Sequence, residues 1–150
     1  MNEEEIGSVM NKFPNIPFLG TFPSDEHCLP KIFNYPACFI SNLDPHWEKG
    51  SHWCAIIIIN EENAEYFDSF GLPPLIESHI KLLNRYNYIY STKKLQSFKS
   101  ETCGLYAVLF LIMRTVYSME QFLNLFTQDS LINDYFVLKL FSLRELNLNF

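Results

Sequence analysis

The fold is decided by the stretch Cys54-Ala55-Ile56-Ile57-Ile58-Ile59. Four successive isoleucines disfavour a helix, because β-branched side chains lose rotamer freedom there. The unbroken apolar run is typical of a strand that is buried on both faces. The composition of Asn60–Asn63 then indicates a turn, and Ala64–Phe70 is predicted to form a second, antiparallel strand. We therefore predict a β-hairpin in the middle of the molecule.

Shorter elements precede and follow this hairpin. Residues 3–12 are expected to form a short amphipathic helix, and residues 13–36, which prolines interrupt, are expected as extended chain on the surface. Ala37–Ile40 is a short strand candidate. Residues 75–85 carry apolar side chains at helical spacing, and Tyr86–Tyr90 alternates like a further strand.

The last third of the chain is predicted to be helical from about residue 102. Cys103–Tyr117 is almost entirely apolar, which indicates a helix buried nearly all round. Ser118 and Gln121 form a capping-box pattern that opens a helix over 119–127. Asp129 is placed to cap a last helix over 130–143.

These elements predict an α+β class, with a small central mixed sheet flanked by helices and a buried helix that starts at Cys103. The chain has 150 residues, of which 48% are hydrophobic and 19% charged. This length and composition exclude global disorder and suit one domain over residues 1–150.

Charge and cysteine content restrict the partners. With 11 basic and 17 acidic residues the net charge is −6, which disfavours general binding to nucleic acid or anionic membranes. The longest apolar run, Gly104–Met113, is half of the roughly 20 residues that span a bilayer. Met1–Glu5 lacks the order of a signal peptide. Four cysteines without a CxxC pair predict free thiols in a reducing compartment and no metal site.

Cys103 is the first candidate for chemistry. It stands between the polar stretch Ser100–Thr102 and the apolar helix, so its sulfur is expected at a helix N-terminus. Unpaired N–H groups and the positive end of the helix dipole stabilise a thiolate there. Gly104 lets a bound substrate approach the backbone and keeps its own N–H free. From its position alone, Cys103 suits a small apolar core residue equally well.

A thiol nucleophile needs a base, and the base needs an orienting group. Three of the four histidines are poor candidates, since His27 and His46 lie in Pro-rich loops and His79 falls on a helix face expected to be exposed. His52 lies immediately before the isoleucine strand, where it is held rigidly and can reach a cleft. On its own, the position also suits a strand-edge histidine bound to water.

Asp68 is the candidate for the orienting group. A hairpin turn near residues 61–62 pairs position 68 with 54–55, close to His52 across the ladder. A carboxylate among aromatic side chains is costly to bury without a partner, and His52 is a suitable one. Asp68 also suits the start of a turn that leads into Gly71.

Gln96 is the fourth candidate, because it precedes a loop that runs into Cys103 and its side-chain amide can donate to a developing oxyanion. A lone glutamine in a polar loop usually has no function. The order His, Asp, Gln and Cys on strand, strand, loop and helix start is more specific than any of its parts.

That ordered set resembles the adenovirus maturation protease, adenain, and the adenain-like cysteine proteases of virophages and Maverick/Polinton DNA transposons. The likeness runs from about residue 18 to 115, and Gln96 precedes Cys103 by seven residues, as in the adenovirus type. It implies the α+β fold of adenain and the ubiquitin-like-modifier proteases. The blocks that carry it are Phe18–Phe22, Ala37–Asn42, Gly50–Trp53, Tyr66–Gly71, and Gln96 with Cys103–Tyr106.

The resemblance implies a thiol protease in which Cys103 is the nucleophile, His52 the general base, Asp68 its orienting acid and Gln96 an oxyanion donor. The backbone N–H of Cys103 is implied as a second donor. The adenovirus enzyme has a glutamate as its acid, whereas the modifier proteases and transposon enzymes use aspartate. Thr102 stands where the modifier proteases usually have aspartate, which points back to the viral branch.

Adenain has two activators, a peptide and DNA, and the resemblance raises the question of their counterparts in this sequence. Its activating peptide is disulfide-linked to a cysteine between the acid and the nucleophile, and no cysteine lies between Asp68 and Cys103. Its DNA cofactor needs basic surface, and here only Lys93, Lys94 and Lys99 cluster. We expect the chemistry itself to need no cofactor. An activating peptide or DNA stays open, and its binding residues are unknown.

The resemblance also implies substrates, namely capsid or core precursor proteins cut at small-residue, often glycine-containing sites. We expect a monomer that acts in a virion or in the host cytoplasm or nucleus, neither secreted nor in a membrane. Two alternatives stay open: a deconjugating protease for a ubiquitin-like modifier, and a non-catalytic binding module on the same scaffold. A metal hydrolase is the least supported hypothesis, because the sequence has no HExxH motif.

Overall fold

The computed structural model describes the backbone of residues 1–145 and the side chains of residues 1–142, so the last five residues of the predicted domain lie outside the described part. The helices are α1 (Glu3–Met10), α2 (Glu77–Leu83), α3 (Cys103–Met113), α4 (Met119–Asn124) and α5 (Ser130–Glu145). The strands are β1 (Phe18–Phe22), β2 (Ala37–Asn42), β3 (Trp53–Ile58), β4 (Asn63–Phe67) and β5 (Asn87–Tyr90).

The strands form one mixed sheet in the order β1-β2-β3-β4-β5. The inner pairs, β2 with β3 and β3 with β4, are antiparallel, and both outer pairs are parallel. In the predicted hairpin, Ala55 lies opposite Phe67 and Ile58 opposite Ala64. The α+β class and the central hairpin are therefore confirmed.

The isoleucine strand is buried because helices cover both faces of the sheet. Ile56 and Ile58 point into a core that includes Leu82 and Leu83 of α2. Ala55, with the partly buried Ile57, faces the other core, which α3 dominates. Alternate side chains of a strand point to opposite faces, so a strand between two helical layers needs an unbroken apolar run.

Helix α3 is the buried helix that the sequence predicts. Nine of its eleven residues are buried, and Phe110 stacks on Phe67 of β4 with ring centroids 4.5 Å apart. The helix ends at Met113 rather than at Tyr117, and α4 then opens with the predicted capping box of Ser118 and Gln121. Among the described residues, no helix combines the length and the apolar character needed to span a bilayer.

The sequence predicts extended surface chain over 13–36 but does not predict that one segment of it joins the sheet. Phe18–Phe22 forms the edge strand β1 and pairs with β2 in parallel. The prolines misled the prediction because they flank this segment without interrupting it. The carbonyl of Pro17 even accepts the N–H of Cys38, at 3.0 Å, so a residue that cannot donate still extends the pairing.

The expected exposure of His79 is also wrong. This residue is fully buried between α2 and the sheet, where its Nε2 lies 2.8 Å from Oγ of Ser41 on β2. Its Nδ1 has no hydrogen-bond partner within the described part of the chain. Burial lowers the pKa of His79 from 6.5 to about 4, because an imidazolium there would be separated from water.

His79 therefore predicts a loss of stability in acid. Because its pKa is lower in the folded than in the unfolded chain, its contribution is complete above pH 6.5 and is lost as the pH falls to 4. The expected loss is about 3 kcal/mol at pH 4. Denaturant unfolding between pH 7 and 4.5 measures it, with His79→Leu as the non-titrating variant and His27→Leu as an exposed control. Identical pH slopes for wild type and His79→Leu would contradict the assignment.

Candidate active site

The strand register positions His52 and Asp68. His52 immediately precedes β3, and its carbonyl accepts the N–H of Leu43 at 3.0 Å, which extends the β2–β3 ladder by one bond. Asp68 immediately follows β4, and the pairing of Ala55 with Phe67 brings it back towards the start of β3. The Nε2 atom of His52 lies 3.0 Å from Oδ1 of Asp68.

The carboxylate of Asp68 is fixed as well as buried. Its residue is 2% exposed, and Oδ1 accepts a second hydrogen bond from the N–H of Phe70 at 2.7 Å. The Ser91 hydroxyl, just beyond β5, accepts the N–H of Asp68 and donates to its carbonyl. These hydrogen bonds fix the direction in which the carboxylate faces His52.

An aromatic stack sets the plane of the His52 ring. Phe70 stacks on the imidazole with centroids 4.7 Å apart and an interplanar angle of 17°. Phe98 continues the stack at 5.1 Å, and Nζ of Lys94 sits 3.6 Å from the Phe98 ring centroid. Since Phe98 is 72% exposed, the stack leads from the buried imidazole to the surface.

Cys103 is the first residue of α3 and is 8% exposed. The His52 side chain and the backbone N–H groups of Trp53 and Gly104 lie close enough to lower the pKa of its thiol. Because Nε2 of His52 is engaged by Asp68, we infer that Nδ1 is the nitrogen that faces Cys103. His52 therefore interacts with both Asp68 and Cys103, and its hydrogen bond to Asp68 is 3.0 Å long.

The interactions among Asp68, His52 and Cys103 favour an ion pair between His52 and Cys103. Burial alone lowers the pKa of His52, but the hydrogen bonds and negative charges of Asp68 and Cys103 outweigh it and raise that pKa to about 9. Burial alone raises the pKa of Cys103, but the His52 hydrogen bond and charge, together with the two backbone N–H groups, bring it below its ordinary value. Both shifts favour the thiolate–imidazolium form of the pair.

Gln96 lies in the loop that leads to Cys103, and its side chain is held at both ends. Its Oε1 accepts from the Ser69 hydroxyl at 2.6 Å, and its Nε2 donates to the carbonyl of Ser100 at 2.8 Å. Within the described part of the chain, Gln96 forms no hydrogen bond to His52, Asp68 or Cys103. An amide nitrogen carries two hydrogens, so one remains for a bound group.

Gly71 allows this loop to approach the turn after β4. Its φ is +71°, and a Cβ there would lie 2.7 Å from the carbonyl carbon of Lys93. The approach lets Leu95 and Gln96 both donate their N–H groups to the carbonyl of Ser69. The Gln96 loop is thereby attached to the same turn that carries Asp68.

Asp134 on α5 is a positioning residue that the sequence did not reveal. Its buried carboxylate accepts from Oγ1 of Thr102 and from the Tyr106 hydroxyl, both at 3.0 Å, and from the N–H of Ser97 at 3.1 Å. These bonds hold both ends of the loop between Gln96 and Cys103. No sequence signal reveals it, because its partners lie 28 to 37 positions away.

The space expected for substrate beside Gly104 is occupied by the chain itself. A Cβ at Gly104 would lie 2.9 Å from Cβ of Met1 and 3.2 Å from Cδ1 of Trp53. The indole Nε1 of Trp53 also donates to the carbonyl of Met1 at 3.0 Å. The close approach that requires a glycine is therefore made by Met1 and Trp53.

A scan against protein-family models finds no match, and a search of curated proteins also finds none. A search of solved structures finds the crystal structure of the selenomethionine form of the ASFV pS273R protease, with 23% sequence identity and a TM-score of 0.44. The match covers 65% of this chain and 41% of that one, so the chain spans about two fifths of that protease. At this level of likeness, a functional assignment rests on the site residues themselves.

The ion pair predicts selective thiol chemistry. Iodoacetamide at pH 6 to 7 should modify Cys103 quickly, whereas Cys38 and Cys54 should stay unmodified because burial raises the pKa of each to about 12. His52→Ala should slow the Cys103 reaction at least tenfold, because the thiolate loses its cation, and the exposed-site control His27→Ala should leave it unchanged. Peptide mapping by mass spectrometry measures each rate. Reaction of Cys103 only above pH 8 would contradict the ion pair.

Asp134 predicts a second difference between matched variants. In Asp134→Asn, the amide oxygen can still accept the N–H of Ser97, but the NH2 group cannot accept from the hydroxyls of Thr102 and Tyr106, at an expected cost of about 1–3 kcal/mol. Asp129→Asn is the control, because Asp129 caps α5 on the surface and asparagine caps helices equally well. Denaturant unfolding at pH 7 compares the two. Equal stabilities would show that Asp134 does not hold the loop.

Proposed function

We propose that this chain is a cysteine endopeptidase, with Cys103 as nucleophile, His52 as general base and Asp68 as the acid that orients the base. The observation that supports it is the His52 imidazole, which is hydrogen-bonded to the buried carboxylate of Asp68 and interacts with the Cys103 thiol at the start of α3. A nucleophile, its base and the group that orients the base are the minimum set for acyl transfer.

In the proposed reaction the Cys103 thiolate attacks the carbonyl carbon of a peptide bond, and the carbonyl electron pair moves to oxygen. The second Nε2 hydrogen of Gln96 and the N–H of Cys103, which has no hydrogen-bond partner among the described residues, stabilise this oxyanion. His52 gives its proton to the leaving amine, and the C–N bond breaks. His52 then takes a proton from water, which attacks the thioester and releases the acid.

We propose that the chemistry needs no cofactor, because acid, base and nucleophile are already in contact within one chain. DNA activation is disfavoured by the net acidic charge and by the engagement of two of the three clustered lysines. Lys93 donates to the carbonyls of Leu123 and Phe126, and Lys94 lies over Phe98. Whether cleavage needs an activating peptide is tested separately, by adding candidate peptides to the cleavage assay.

For substrates we propose capsid or core precursor proteins, cut at small-residue sites, in a virion or an infected cell, by a monomeric enzyme. The support is the resemblance of the His52, Asp68, Gln96 and Cys103 motifs to the adenain-like proteases. The exposed ring of Phe98, two rings from His52, offers an apolar surface for a substrate side chain.

Two variants test the proposed roles on a capsid-precursor peptide pool. Cys103→Ala should abolish cleavage. Gln96→Ala should lower kcat by about 10²–10³ with little change in KM, because its donor acts on the oxyanion. Gln128→Ala, on the surface, is the matched control and should cleave like the wild type.

Cleavage by Cys103→Ala would overturn the assignment of the nucleophile. Release of a fluorophore from a ubiquitin-like modifier, with no cleavage of the precursor pool, would replace the endopeptidase by a deconjugase. No cleavage of either, with a Cys103 that is no more reactive than Cys38, would favour a binding module.

A further inference from the structure

Two surface loops away from the catalytic residues bring metal-ligating side chains together. One is the turn after β1, which carries His27 and Cys28, and the other is the β2–β3 loop, which carries His46. One ring nitrogen of each histidine and the Cys28 sulfur all lie within 4.8 Å of one another. None of these residues takes part in the proposed proteolysis.

We propose that His27, Cys28 and His46 bind one zinc ion, with water as the fourth ligand. Imidazole nitrogen and thiolate sulfur are the ligands that Zn²⁺ prefers, and three protein ligands plus water complete a tetrahedron. The exposure of both histidines leaves the fourth position open to solvent.

The backbone of both loops is already fixed in the required arrangement. The N–H of Cys28 donates to the carbonyl of Asp25 at 2.9 Å, which closes the turn that carries two of the ligands. The N–H of Ser24 donates to the carbonyl of Asp44 at 3.0 Å, which attaches this turn to the loop that carries His46. Only side-chain rotation then separates the ligands from a binding geometry.

Asp25 supplies the outer contact that metal-binding histidines usually have. Its side chain is 7% exposed, and its Oδ2 lies 3.2 Å from Nδ1 of His46 and 2.7 Å from the N–H of the same residue. A carboxylate on one ring nitrogen fixes the tautomer and raises the basicity of the other. We therefore assign Nε2 of His46 to the metal.

The remaining adjustment is small. Ligand atoms around a tetrahedral zinc lie about 3.3–3.7 Å apart, so atoms separated by up to 4.8 Å must approach by about 1 Å. The exposed side chain of His27 can supply it by rotation. Cys28 binds as thiolate, so its proton passes to solvent and affinity should rise with pH.

Zinc at this position would tie the β2–β3 loop to the turn after β1. That loop ends at His52, and its base is closed by Asn42, whose Oδ1 accepts the N–H groups of Asp44 and Ser51. The metal would therefore stiffen the segment that leads into the proposed general base without touching it.

The test uses the full chain carrying Cys103→Ala, so that zinc cannot bind the active-site thiolate. Calorimetric titration with Zn²⁺ should give one site per chain, with proton release. Cys28→Ser and His46→Ala should each weaken binding at least tenfold, and Asp25→Asn about 10–100-fold. Glu26→Gln is the matched control, because Glu26 pairs with Lys81 and should not affect zinc.

A second measurement needs no change to the ligands. Zn²⁺ should slow the alkylation of Cys28 at least tenfold, and Mg²⁺ should not. Absence of saturable binding, binding that Cys28→Ser and His46→Ala leave intact, or equal alkylation of Cys28 with and without zinc would each overturn the site. These readouts do not depend on proteolysis, so the proposed function can fail while the zinc site stands.

Discussion

The register of β3 against β4 is the constraint on which the candidate site depends. Phe67 lies opposite Ala55, so Asp68 and His52 leave adjacent strands at the same end of the sheet. A slip of one residue would turn Asp68 to the other face and separate the pair. The alternation of Ile56 and Ile58 towards one core, and of Ala55 and Ile57 towards the other, forbids that slip, since each face has its own helical cover. The residues that decide the fold therefore also align the acid with the base.

Two buried carboxylates each stabilise a different part of the candidate site. Asp68 carries the charge that raises the pKa of His52, and Ser91 and the N–H of Phe70 keep its position. Asp134 forms no hydrogen bond with the side chain of a candidate catalytic residue, but it fixes the loop from Gln96 to Cys103 through Thr102 and Ser97. Each carboxylate is surrounded by donors, which is the condition under which a buried charge organises a structure rather than destabilising it.

The sequence predicts what is local and periodic in this protein. The isoleucine run, the apolar helix from Cys103 and the capping box at Ser118 each specify an element from a few neighbouring residues, and the structure has all three. It does not reveal β1, because pairing with a distant strand decides that segment. Nor does it reveal the burial of His79, because its hydrogen-bond partner, the Ser41 hydroxyl, lies on the sheet and is distant in sequence.

The same distinction applies to the site residues. His52 and Asp68 could be paired from the sequence because a hairpin is a local structure whose register follows from its turn. Asp134 could not, since it reaches the Gln96 loop only when α5 folds back against α3.

The His27, Cys28 and His46 cluster also depends on the tertiary fold, which is why spacing rules predicted no metal site. His46 follows Cys28 by 18 positions, without a recognisable motif, and only the return of the chain through β2 brings the two loops together. Spacing rules detect ligands that share a turn or a helix, so a site assembled across a strand becomes visible only in the fold.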